Sequence, residues 1–129
     1  MAKLKDLERA YLGRRFENGG GYTTKKYESF QRKYLNYLKS VCVENGWVLD
    51  RTTKGHYWFS AFIKDVNGRY VYLCLPDVRF WQDGWYNRIL IRGADSNQDF
   101  TGMANNYTTL PNLAEDIRRL FSWLARRDG

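Results

Sequence analysis

The chain predicts an α+β fold: an antiparallel β-meander of four to five strands, with a long helix before it, a C-terminal helix packed on one face, and a short N-terminal helix. Three observations carry this. Residues 56–75, HYWFSAFIKDVNGRYVYLCL, are two aromatic-rich apolar runs joined by Asp65-Val66-Asn67-Gly68, which reads as a β-hairpin. Apolar residues recur at helical spacing on either side of the strand region, before Gly46 and after Pro111. The strands follow one another directly, the pattern of an antiparallel meander. With 129 residues, 43% hydrophobic and 27% charged, the chain has material for one core. Residues 1–22 form a short helix and a glycine-rich link, and residues 23–129 a single α+β domain.

Leu4, Leu7, Tyr11 and Leu12 have helical spacing over residues 3–12, ending at Gly13. The triplet Gly19-Gly20-Gly21 excludes a regular element and makes a flexible link. It stands beside Arg14 and Arg15 but lacks the Gly-Lys-Ser/Thr of a phosphate loop. Thr23 or Thr24 can cap the next helix and Asn45-Gly46 can stop it. Tyr27, Phe30, Tyr34, Tyr37, Leu38, Val41 and Cys42 share its apolar stripe. The opposite side carries Lys25, Lys26, Arg32, Lys33 and Lys39 against Glu28 and Glu44, the most basic surface in the chain.

Trp47 to Thr52 reads as the first strand. In the hairpin, an Asn67-Gly68 loop and a Val66-Asn67-Gly68 loop place opposite faces of the second strand together. Asp65 at the first turn position and Gly68 at the fourth favour the three-residue loop, a type I turn closed by a glycine bulge. One face then carries Tyr57, Phe59, Ala61 and Ile63 with Val71, Leu73 and Leu75, and is the core face. The other carries Trp58, Ser60, Phe62 and Lys64 with Tyr70, Tyr72 and Cys74. Pro76 ends the third strand, Val78 to Trp81 can form a short one, and Tyr86 to Arg92 is the last clear one. The segment from Gly93 to Leu110 is polar and unpatterned, which reads as a functional or mobile loop. Thr109 as cap and Pro111 near the first turn open the final helix, whose stripe is Leu113, Ile117, Leu120, Phe121 and Leu124.

The element order from Tyr27 to Leu124 is similar to that of the double-stranded RNA-binding domain. That family carries a lysine cluster at the start of its last helix, where this chain has Leu113-Ala114-Glu115-Asp116. The resemblance therefore implies an element order and brings no RNA-binding residues with it.

Little in the sequence points to catalysis. His56 is the single histidine and has no partner at zinc spacing. Cys42 and Cys74 lie in apolar surroundings and read as buried free thiols. Asp95, Asn97 and Asp99 match the opening of a calcium loop, but Phe100 stands where that loop needs glycine and Asn106 where it needs glutamate. No enzyme activity, cofactor or metal is expected. No run approaches the ~18 apolar residues of a membrane span, and MAKLKDLERA has no apolar signal core, so the expected location is the cytoplasm.

The net charge of +7 has its excess in the first two thirds of the chain. A basic field of this kind attracts phosphate backbones or acidic protein surfaces. With Trp58, Phe62, Tyr70 and Tyr72 beside Arg88 and Arg92, the second sheet face has the ingredients of a base-stacking platform, unless the N-terminal helix covers it. The expected function is non-catalytic binding of RNA or DNA through Lys25, Lys26, Arg32 and Lys33 on the helix and Trp58, Tyr72, Arg88 and Arg92 on the sheet. The alternative partner is a nucleic-acid-processing protein complex. In size and character the chain looks like the counter-defence proteins of phages and mobile elements, including anti-CRISPR inhibitors, which act on such machines.

Overall fold

The hairpin turn sets the register of the sheet. In the computed structural model, which describes residues 24–54, 59–75 and 89–128, the Asp65 carboxylate accepts from the backbone N–H of Asn67 and Arg69 at 2.9 and 2.8 Å. Gly68 donates to the Asp65 carbonyl at 3.2 Å with φ of 80°, a left-handed conformation that suits glycine. The loop is the three-residue one, Val66-Asn67-Gly68. Strand β2 (Phe59–Lys64) therefore pairs with β3 (Tyr70–Leu75) so that Ile63 faces Val71, Ala61 faces Leu73 and Phe59 faces Leu75. All six are buried, as that turn type requires.

Three further strands complete an antiparallel sheet in sequence order: β1 (Val48–Lys54), β4 (Ile89–Ala94) and β5 (Asn106–Thr108). β1 runs two residues beyond its expected end, and a bulge at Asp50 shifts its register between Leu49 and Arg51. β5 corrects the reading of residues 93–110 as one irregular loop. Only its first part is loop; the rest adds an edge strand against Ile89, Leu90 and Ile91.

Both helices, α1 (Thr24–Asn45) and α2 (Leu113–Asp128), pack on the same sheet face. Tyr34, Leu38 and Cys42 of α1 and Leu113, Ile117, Phe121 and Leu124 of α2 close the core over the six hairpin residues, Ile89 and Ile91. Tyr34 meets Phe59 edge-on at 5.5 Å. At the end of α1, Trp47 donates to the Cys42 carbonyl at 2.8 Å and Gly46 to that of Val43 at 3.4 Å, the paired bonds of a Schellman cap. That cap turns the chain so that Trp47 packs 5.4 Å from Phe121. The two helices are tied side by side where Arg118 donates to the Asn45 side-chain oxygen at 2.7 Å. Thr109 caps the turn leading into α2, its hydroxyl accepting from the Asn112 N–H at 3.3 Å, and the helix itself begins at Leu113. Among the described residues no helix is long and apolar enough to cross a membrane. The expected helix at 3–12, the glycine link, His56, Tyr57 and the short strand at 78–81 lie outside the described residues.

Candidate functional site

On the sheet face away from the helices, one cross-strand row runs through four strands: Arg51, Phe62, Tyr72 and Arg92, each directly opposite the next. Two aromatic rings lie between two arginines. This is the arrangement expected of a stacking platform, but the rings are already occupied. Phe100, from the β4–β5 connection, lies over both, 5.1 Å from Phe62 and 5.9 Å from Tyr72, nearly perpendicular to each. Phe62 and Tyr72 keep only 1% and 7% of their surface, while Phe100 keeps 40%. The expectation of exposed rings on this face is corrected at Phe62 and Tyr72. Among the described residues, what covers them is Phe100 of the β4–β5 loop.

The arginines hold that loop down. Arg92 lies over the Tyr72 ring at 4.7 Å, donates to the Asn105 side-chain oxygen at 2.8 Å, and donates to the Phe100 carbonyl. Arg51 sits 5.4 Å from the Phe100 ring and donates to the Asn97 carbonyl at 3.0 Å. Asn97 in turn donates to the Asp50 carboxylate at 3.0 Å. Gly102 has φ of 55°, and a Cβ there would lie 2.8 Å from the Gly93 carbonyl and 2.9 Å from Arg92, so only glycine fits. Burial raises the Tyr72 hydroxyl above its ordinary range, helped by the neighbouring Cys74 thiol.

The carboxylates of the partial calcium motif serve the loop itself. Asp99 accepts from the backbone N–H of Asp95 at 2.9 Å and of Gly102 at 2.8 Å, and from the Thr101 hydroxyl at 3.1 Å. These donors hold its carboxyl below the ordinary 3.8, the Asp95 and Gly102 amides first. Among the described residues no three His, Cys, Asp or Glu side chains gather as metal ligands. Both cysteines are free thiols; burial raises Cys42 to about 11 and also raises Cys74, so neither is a ready thiolate nucleophile at neutral pH.

Of the expected helix residues, Arg32 and Lys33 stand exposed on the outer side of α1, and Lys39 with them. Lys25 and Lys26 fall in its first turn, where only the backbone is described. Trp58 and Arg88 lie outside the described residues. The structure thus brings Tyr72 and Arg92 together on one face and sets Arg32 and Lys33 on the other side of the sheet. On α2, Arg118, Arg119 and Arg126 are exposed as well, Arg118 reaching Asn45 at the end of α1.

A groove of about 500 Å³ lies between α2 and the β4–β5 edge, bordered by Ile91, Met103, Asp116, Arg119, Leu120 and Trp123. The sequence reading does not single it out. The one signal for it is Trp123, a large apolar residue that falls off the buried stripe of its helix and keeps 44% of its surface.

The fold and this surface define a small basic α+β domain. No family model, curated protein or solved structure matches the chain.

Proposed function

We propose that this chain is a non-catalytic nucleic-acid-binding protein that holds the phosphate backbone on the outer face of its helix layer. The observation supporting this is the pairing of Arg32, Lys33 and Lys39 on α1 with Arg118, Arg119 and Arg126 on α2, all exposed. The only exposed acids described on the two helices are Glu44 and Glu115, and Glu115 is paired with Arg119 at 3.1 Å. Arg32 and Lys39 are seven residues apart, about 10 Å along the helix axis, so their charges can serve separate phosphates. Such contacts carry affinity without sequence preference.

A second reading is favoured by Val43, which stands 80% exposed among these charges. An apolar side chain there suits a protein surface, and the partner would then be a nucleic-acid-processing complex that the chain inhibits.

The two separate in one comparison. Wild type and an R32E/K33E/K39E variant are titrated against labelled single- and double-stranded RNA and DNA at low salt. The nucleic-acid reading expects at least a tenfold weaker complex for the variant with an unchanged thermal midpoint. Equal binding by both proteins would remove the helix face from the account.

A further inference from the structure

Within the nucleic-acid reading, on which this rests, we infer that the groove between α2 and the β4–β5 edge receives one unpaired nucleobase, stacked on Trp123, with its phosphate at Arg119. The volume, about 500 Å³, falls in the ~300–1,000 Å³ range of small-ligand sites. Ile91, Met103 and Leu120 give it apolar walls suited to the flat face of a base.

Trp123 contributes little to the core: Leu113, Ile117, Phe121 and Leu124 form that surface. Its ring is nevertheless held in place. Arg127 lies 5.7 Å from the indole and donates to the Met103 sulfur at 3.1 Å, so helix and loop walls are linked across the groove. An indole prepared in this way offers a sequence-tolerant surface for a base.

Asp116 supplies the selectivity. Its Oδ2 accepts from the Thr108 hydroxyl at 2.6 Å, which fixes the carboxylate at the groove wall. Among the described residues its other oxygen has no side-chain donor. A fixed carboxylate accepts from the amino groups of adenine, cytosine and guanine and repels the carbonyl oxygens that flank the single N–H of uracil. Arg119 at the rim is exposed and, among the described residues, pairs with the exposed Glu115 one turn away, so a phosphate can compete for it. A base inside a duplex cannot enter; an unstacked base in a single strand can.

The test uses labelled ten-nucleotide strands of A, C and U and a duplex, with wild type, W123A, W123F and D116N. Expected are tighter wild-type binding to A and C than to U, and single-strand binding weakened roughly tenfold in W123A. W123F should bind nearly as wild type, duplex binding should not change in W123A, and D116N should narrow the preference over U. Wild-type single-strand binding that survives unchanged in a folded W123A would overturn the groove assignment and leave the helix face standing. A wild type that binds none of the strands would overturn both.

Discussion

The guanidinium of Arg92 lies 4.7 Å from the centre of the Tyr72 ring, directly opposite it on the neighbouring strand, and from there it grips the loop that closes over that ring. A cation in this position stabilises the aromatic row and orders the β4–β5 connection with the same side chain. Its Nε is buried without a hydrogen-bond partner among the described residues, an arrangement sustained by the bonds its two terminal nitrogens make.

Replacing Arg92 by lysine keeps the charge and removes the planar fork. The expected loss is about 1–3 kcal/mol in urea unfolding. Amide exchange in residues 95–105 should accelerate more than in β2 and β3. Unchanged exchange in that loop would mean that the Arg92 contacts do not hold it.

Phe100→Ala uncovers Phe62 and Tyr72. A fully buried phenylalanine costs about 3–5 kcal/mol when truncated, and Phe100 keeps 40% of its surface, so a smaller loss of about 1–2 kcal/mol is expected here. A fully stable F100A would show that the ring cluster needs no cover.

The hairpin was readable from the sequence because Asp65 and Gly68 determine the loop length, and the loop length decides which side of six residues is buried. The pairing of Phe62 with Tyr72 was readable for the same reason, and the face of Arg92 from its alternation with Ile89 and Ile91. The exposure of that face was not. That depends on Phe100, one aromatic in a polar stretch, whose loop is fixed by the Arg92 bond to its carbonyl and the Arg51 bond to Asn97, side-chain contacts that no local pattern encodes. β5 escaped because Asn106-Tyr107-Thr108 lacks apolar alternation and is defined by its pairing with β4 and the Thr108 bond to Asp116 of α2. The groove escaped because Trp123 and Met103 meet only through the tertiary fold.

Asp99 makes stability depend on acid pH. Its carboxyl is held below the ordinary 3.8 by the Asp95 and Gly102 amides, so on acidification the unfolded chain takes up this proton before the folded one. The stabilisation is complete above the ordinary value and is lost as pH falls through the lowered one. Thermal midpoints measured from pH 6 to pH 2 should therefore drop more steeply in wild type than in D99N, and parallel curves would contradict this role.

Burial raises the Cys42 thiol to about 11, so it stays protonated and shielded at pH 8. In the native protein it should resist a disulfide-exchange reagent and react promptly once denatured. Rapid native labelling of Cys42 would place the residue outside the core.

The salt dependence of binding reads out phosphate contacts at the helix face. Affinity for a single-stranded oligonucleotide is measured by fluorescence anisotropy from low to near-physiological salt for wild type and R32E/K33E/K39E. A steep linear fall of log K with log salt is expected in wild type, with a slope shallower by roughly two in the variant, about 0.7 for each single-strand phosphate contact removed. Wild-type affinity that is flat with salt, or identical slopes for the two proteins, would contradict phosphate binding at that face.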